Sequence, residues 1–285
     1  MKRIKKFIPL TSDSAFKILF SEYDEFVKYF LETILETDVN DIKFLDREQV
    51  KEKINEHRMT LDLLLLINEY ITLDIEVNRS LFNYVMEKSL FYAIKVFGSR
   101  IKEGEKYKKN FKFVQLNLNT RSNKKSLPEE RITIRNNSLD RDVTDKFLML
   151  AVDIEKYCDL YYNYGVREPK AKLYAMLGAK SLRKLKNIAR SALPEKAFEV
   201  FWRKYIYMCN DDEIISEYDR ELAEQMVLRN ELNGALEEGK AIGIEENNIS
   251  MVKKMLEEKL PYDTISRVSG LTIDKIKEIE SQEQS

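Results

Sequence analysis

Acidic side chains concentrate in one short part of the sequence, where two strand-like runs are separated by three residues. Asp62 lies in the first run, 58–67. The second run, 71–78, has the period of a strand with one buried face, because apolar residues alternate there with Thr72, Asp74, Glu76 and Asn78. Carboxylates beside buried apolar residues are costly unless a partner balances their charge. Mg²⁺ is held by one or two carboxylates and keeps room for a phosphate oxygen, so the pattern indicates phosphodiester chemistry.

The register of this hairpin decides whether the two acids can share an ion. A three-residue loop at 68–70 pairs Ile67 with Ile71, which sets Asp62 directly opposite Glu76 with about 5 Å between the Cβ atoms. A two-residue turn would shift the register by one and move Glu76 to the other face. The alternative is that the acids of the second run simply point into water from a half-exposed strand.

Length and composition limit the class of protein. With 285 residues, of which 44% are hydrophobic and 34% charged, the chain suffices for one sizeable domain and a smaller appendage. No apolar run approaches the roughly 20 residues that span a bilayer, and no signal-peptide core follows the basic start, so we expect a cytoplasmic protein without membrane contact. Two cysteines and the single His57 argue against a disulfide framework, a zinc knuckle and a histidine-based hydrolase triad.

The net charge of −1 gives no global electrostatic reason to bind nucleic acid. Local basic clusters would have to supply that affinity, and the candidates are 102–112, Arg121 with Lys124 and Lys125, and 180–190. Such clusters either neutralise phosphates or are only solvated surface.

The segments around the acid-bearing strands predict an α/β fold. Helical spacing follows the N-cap signal at 11–13 and returns over 81–101, whereas 42–45 and 111–118 are typical of strands. The order helix, antiparallel three-strand meander, helix, strand describes the expected core. We expect this core in residues 1–165, a helical extension in 166–235 and a C-terminal helical tail in 236–285.

The C-terminal helices leave two roles open. Helices at 249–258, 261–268 and 273–279, broken at Gly270, are compatible with a helix-turn-helix that reads DNA. A three-helix cap for packing or oligomerisation has the same pattern. The charged segment 213–257 is typical of a solvated or self-associating helix, although its heptad phase drifts.

Taken in order, these motifs resemble those of the PD-(D/E)XK nuclease family transposases, also called the recombination-promoting nuclease family. The resemblance covers most of the chain. It is carried by a D-x-x-F-K-x-x-F element at 13–20, Arg58 with Leu61 and Asp62, Ile75-Glu76-Val77-Asn78, Tyr92 with Gly104 and Tyr107, the strand at 114–118, the glycine-spaced helix at 238–243 and the terminal segment 260–271.

The resemblance implies a restriction-endonuclease-like fold with its metal site at the strand pair. Asp62 and Glu76 match the family's metal ligands, and Asn78 takes the third position, which is lysine in the broad superfamily and often glutamine in this branch. An amide can neither act as a cation nor deprotonate water as a lysine does, but it can orient an attacking water. The expected cofactor is Mg²⁺, with Mn²⁺ as a substitute, and the backbone carbonyl of Val77 is a further ligand. Lys88 is either a substitute cation or a surface residue.

We therefore expect a metal-dependent DNA endonuclease linked to transposition or recombination, with Asp62, Glu76 and Asn78 as catalytic residues. The main alternative is a catalytically weakened member that acts as a DNA-binding protein or as a homo-oligomer through its C-terminal helices. A purely structural scaffold is the third interpretation, and it leaves the strand acids unexplained.

Overall fold

The computed structural model describes residues 4–45, 63–79, 85–99, 110–122 and 125–283. Two compact units make up the chain, 1–219 and 220–285. The first unit has a mixed α/β architecture, which confirms the predicted class. The domain limits expected after residues 165 and 235 stay predictions.

The sheet and its flanking helices occupy the first half of the chain. These elements are α1 (Asp13–Leu19), α2 (Glu25–Leu35), β1 (Ile42–Phe44), β2 (Leu63–Ile67), β3 (Ile71–Asn78), α3 (Val85–Ser99), β4 (Lys112–Asn119), β5 (Glu129–Ile132), β6 (Arg135–Asn136), β7 (Arg141–Asp142) and β8 (Phe147–Asp153). The helices that follow are α4 (Ile154–Tyr162), α5 (Pro169–Leu177), α6 (Leu182–Ala192), α7 (Glu195–Met208), α8 (Asp212–Glu257), α9 (Tyr262–Ser269) and α10 (Ile273–Glu283).

Six strands form one mixed sheet in the order β1-β2-β3-β4-β8-β5. The first three are antiparallel neighbours, β3, β4 and β8 run parallel to one another, and β5 is antiparallel to β8. Parallel neighbours need a crossover connection. For β3 and β4, α3 lies in that connection.

The β2–β3 hairpin has the register that the sequence predicts for its described residues. Ile67 pairs with Ile71, and the pairing continues to Leu63 with Ile75. In the loop, Asn68 and Glu69 have φ values of 48° and 63°, a left-handed conformation that lets three residues reverse the chain. The Asn68 side chain also donates to the backbone oxygen of Asp38 at 2.7 Å, which anchors the turn.

Helix α3 covers one face of the sheet. Its residues Ala93 and Val96 pack in a buried cluster with Leu64, Phe113 and Met149 of three different strands. Since Leu64 pairs with Asp74, the covered face is also the face that carries the acids of β3.

The two N-terminal helices pack against α7. Ser12 and Asp24 cap α1 and α2 through their side chains, so the helical region predicted after 11–13 forms two helices instead of one. The ring of Phe26 lies 5.1 Å from that of Phe201 in α7. The helical extension is therefore packed against the beginning of the chain.

The second unit contains α8 from residue 220 onward, together with α9 and α10. Val252, Ile265, Ile276 and Ile279 form its small buried cluster. Gly270 ends α9 at φ 74°, which confirms the predicted break, while Pro261 occupies the N-cap and not the first helical position. Although α8 is 46 residues long, no helix in the described parts of the chain is apolar enough over a sufficient length to cross a membrane.

Candidate active site

The carboxyl ends of β3, β4 and β8 lie at one edge of the sheet because the three strands are parallel. Towards this edge, the face covered by α3 changes from apolar to polar. Adjacent strands pair Asp74 with Gln115, Glu76 with Asn117, Asn78 with Asn119, and Asn119 with Asp153. A continuous polar row thus crosses three strands where they end.

Most of this polar row is removed from water. Asp74 and Gln115 are 0% exposed, and Asn117 is 1% exposed, whereas Glu76 and Asn78 are half-buried. The alternative in which the acids of β3 point into water is therefore wrong for Asp74. A carboxylate at such a position requires compensating charge or hydrogen bonds.

Asn78 is held by two amides of the neighbouring strand. Its Nδ2 donates to Oδ1 of Asn117 at 3.3 Å and to Oδ1 of Asn119 at 3.2 Å. Its backbone oxygen accepts hydrogen bonds from the backbone nitrogen and Oγ1 of Thr120, at 2.9 and 3.2 Å. Because both of these contacts use the amide nitrogen, the carbonyl Oδ1 is the acceptor group of this side chain.

Arg79 joins the end of β3 to the start of α1. Its Nη2 donates to the backbone oxygen of Thr11 at 2.6 Å and to Oδ1 of Asp13 at 2.8 Å. The D-x-x-F-K-x-x-F element at 13–20 is thereby fixed beside the polar row.

Asp153 has a structural task at this edge. Its Oδ1 accepts from the backbone nitrogen of Lys156 at 3.0 Å and caps α4, and its Oδ2 accepts from Oγ of Ser122 at 2.7 Å and of Ser126 at 3.1 Å. With these contacts, Asp153 stabilises the strand-to-helix junction.

The structure places three of the four predicted site residues together. Glu76, Val77 and Asn78 are consecutive at the end of β3. Asp62 lies outside the described residues, so its pairing with Glu76 stays a prediction, and His57 lies outside them as well. The same is true of Arg58, Leu61, Gly104 and Tyr107, which carry part of the resemblance.

Lys88 has the surface position that was one of its two expected roles. Its side chain is exposed, and its Nζ lies 5.6 Å from the ring centroid of Tyr92. A Lys–aromatic contact of this kind is a common surface interaction.

The amides of β4 were missed as site residues. Gln115, Asn117 and Asn119 alternate with Leu116 and Leu118, the same period that identifies the acids of β3. This signal was available in the sequence, but only the parallel register shows that these amides stand beside Glu76 and Asn78.

Oxygen donors dominate the site. Among the described residues, no three His, Cys, Asp or Glu side chains gather closely enough to hold a metal ion. Glu76 with the amide oxygens around it nevertheless offers the hard donors that Mg²⁺ prefers. None of the described residues of the polar row carries the sulfur or imidazole typical of zinc. The residue types therefore fit Mg²⁺ if a further ligand, such as Asp62, completes the set.

Cys158 is a poor candidate for thiol chemistry. Burial raises the pKa of this thiol to about 11. It is therefore protonated near neutral pH and is a poor nucleophile.

Comparison with known proteins identifies the family. A family model described as PD-(D/E)XK nuclease family transposase matches residues 10–235. No curated protein and no solved structure matches the chain. The family match includes every strand of the sheet and the whole polar row of β3 and β4. Since it spans well over half of the sequence, the chain belongs to the PD-(D/E)XK nuclease family transposases.

Proposed function

We propose that the chain is a metal-dependent DNA endonuclease that acts in transposition or recombination and has a restriction-endonuclease-like core. Membership of a nuclease family supports DNA as the substrate. The observation that carries the proposal is the polar row at the carboxyl ends of β3 and β4, in which Glu76 and Asn78 stand beside buried amides.

Each residue has a defined role in the proposed reaction. Glu76 and Asp62 hold Mg²⁺, and the backbone carbonyl of Val77 is a further ligand. A bound Mg²⁺ supplies Lewis acidity toward the phosphate and lowers the pKa of a water. Asn78 accepts a hydrogen bond from the attacking water through Oδ1 and thereby orients it for in-line attack on phosphorus.

The proposal is tested by plasmid cleavage with the purified full-length protein in Mg²⁺, in Mn²⁺ and in EDTA. We expect nicked or linear product with either metal and none in EDTA. Glu76→Gln keeps the shape of the side chain but removes its charge, so cleavage should fall by about 100-fold or more.

Glu69→Gln is the matched control, because it makes the same chemical change in the loop of the same hairpin, where the Glu69 side chain is 78% exposed. It should cut at the parental rate. Thermal unfolding of both variants by circular dichroism checks that they are folded. Equal cleavage by Glu76→Gln and the parent would refute the assignment of the site.

A catalytically weakened, DNA-binding or self-associating protein is the second candidate. The amide at Asn78 favours it, because asparagine lacks the charge of the superfamily lysine. A Mg²⁺ titration separates the two candidates: metal binding without plasmid cleavage at any concentration supports the weakened protein.

A further inference from the structure

A cleft of about 780 Å³ lies in the first unit, outside the carboxyl ends of the parallel strands. Its lining includes Thr120, which follows β4, and Ile154, which follows β8. It also includes Thr11, whose backbone oxygen accepts from Arg79 directly after β3. Ligands of open α/β sheets bind in crevices at such strand ends.

One residue of the cleft lining contacts the proposed active site. Thr120 lines the cleft and donates two hydrogen bonds to the backbone oxygen of Asn78. Thr120 thus joins the cleft lining to the end of β3, where Asn78 lies.

Two lysines give the cleft a basic part. Lys180 and Lys184 line it, and Lys184 belongs to α6, which carries Arg183, Lys184, Lys186 and Arg190 and has no acidic residue. The apolar side of α6 is buried at Leu185, Ile188, Ala189 and Ala192, which turns most of its charged side chains outward.

Two acidic residues also line the cleft, and both are engaged by neighbours. Glu155 pairs with Lys180 at 3.4 Å and accepts a hydrogen bond from the backbone nitrogen of Ser122 at 3.1 Å. Asp159 accepts a hydrogen bond from the amide of Asn163. The Lys180 side chain remains 80% exposed, so its ammonium is accessible to a second anion.

Aromatic rings position the cations of this surface. The Nζ of Lys184 lies 4.9 Å from the ring centroid of Tyr162, which also lines the cleft. The Nζ of Lys186 lies 5.5 Å from the ring of Trp202. Cation–aromatic contacts restrict long side chains, which lowers the entropy cost of binding a phosphate.

We infer that this cleft, with Lys180 and Lys184, binds the phosphodiester backbone of DNA on one side of the cleaved bond. The inference rests on the proposed function, because it assumes that Asn78 marks the reaction centre. Helix α8 is a poor candidate for the same task, since it carries twelve acidic and five basic residues.

The test measures DNA binding separately from cleavage. The full-length protein and its Lys180→Gln/Lys184→Gln variant are titrated against a fluorescein-labelled DNA duplex in EDTA at several salt concentrations. Loss of two phosphate contacts should reduce the slope of log K against log salt by about 2, and binding in 0.1 M salt should weaken on the order of 50-fold.

The matched control is Lys43→Gln/Lys196→Gln, which removes the same charge from two exposed lysines outside the cleft lining. We expect parental affinity and slope for the control. The inference is overturned if the cleft variant keeps the parental slope, if the control loses as much affinity, or if the parent binds no DNA.

Plasmid cleavage distinguishes this inference from the proposed function. A parent that binds DNA with a salt slope dependent on the two lysines, yet never cuts, refutes the endonuclease and supports the cleft. A parent that cuts, together with a cleft variant of unchanged slope, refutes the cleft and leaves the endonuclease standing.

Discussion

Asn78 shows how a single amide acquires a defined chemical role from its neighbours. In isolation its side chain can donate or accept. Here its nitrogen faces the oxygens of Asn117 and Asn119, at 3.3 and 3.2 Å. In the proposed reaction the side chain would act as an acceptor through Oδ1, whereas lysine places a donating cation at this position in the broad superfamily.

Asn119→Ala tests this positioning. The change removes one acceptor from Asn78, so its amide should rotate more freely and kcat for plasmid cleavage should fall about tenfold, with little change in KM. Asn119→Asp keeps an acceptor oxygen and should restore most of the rate at saturating Mg²⁺. If alanine and aspartate lose activity equally, the hydrogen bond to Asn78 is not what matters.

Gly178, at the end of α5, provides a prediction about packing. A Cβ at this position would contact Sγ of Cys158 and lie 2.6 Å from Cγ2 of Ile154. Gly178→Ala should therefore lower the free energy of unfolding by about 1–3 kcal/mol, measured by urea denaturation.

Gly98→Ala is the control for this prediction, because no atom of the described structure lies within 4 Å of a Cβ there and the residue is in α3. It should be neutral or stabilising by up to about 1 kcal/mol. A Gly178→Ala protein as stable as the parent would contradict the close packing of α4 against α5.

At the scale of elements, helix α8 has a long middle segment in which no side chain is buried. Residues 223–247 are all exposed and include Gly234, Gly239 and Gly243. Isolated helices are marginal in water, and each glycine costs about 1 kcal/mol relative to alanine. This segment is therefore expected to gain stability from a partner.

The sequence of α8 favours a second copy of the chain as that partner. The heptad phase drifts over α8 as a whole, but small and apolar residues keep it within 228–242, namely Leu228, Leu232, Ala235, Gly239 and Ile242. Glutamates flank the same side of this stripe at every heptad, namely Glu224, Glu231, Glu238 and Glu245. An antiparallel pair would set these glutamates against one another, so we expect a parallel pair.

Leu232→Glu should disrupt this pair, because it places a charge in the stripe. Multi-angle light scattering should show the parent as a dimer and the variant as a monomer. Asn230→Glu adds the same charge on the opposite side of the helix and should remain dimeric. A monomeric parent, or equal masses for the two variants, would contradict the interface.

At the scale of the whole molecule, the first unit contains every described site residue and the cleft. Its limit at residue 219 includes the start of α8, where Asp212 pairs with Lys5 at 2.9 Å. The backbone nitrogen of Lys6 also donates to the backbone oxygen of Cys209 at 3.2 Å. Chain segments far apart in sequence thus close this unit.

A fragment ending at residue 219 should therefore fold on its own. We expect a single cooperative thermal transition by circular dichroism, plasmid cleavage within a few-fold of the full-length rate, and a monomeric mass. The full-length protein under the same conditions is the reference. An unfolded fragment would show that residues 220–285 stabilise the first unit.

The sequence by itself determined the hairpin and its register. The alternation over 71–78 and the three-residue loop are local features, and β3 begins and ends at the predicted residues. The helix break at Gly270 was equally local, because a left-handed residue ends a helix whatever surrounds it. The same register, extended beyond Leu63, would set Asp62 opposite Glu76, and its part in the metal site stays a prediction.

Only the tertiary structure decided what surrounds the acids. Asn117 pairs with Glu76 across 41 residues of chain, and Lys184 reaches the same edge from a helix much further along. Local periodicity cannot fix such neighbours, because the length of a crossover does not set the register of the strand that follows it. The burial of Asp74, the hydrogen bonds of Asn78 and the cleft all depend on this long-range pairing.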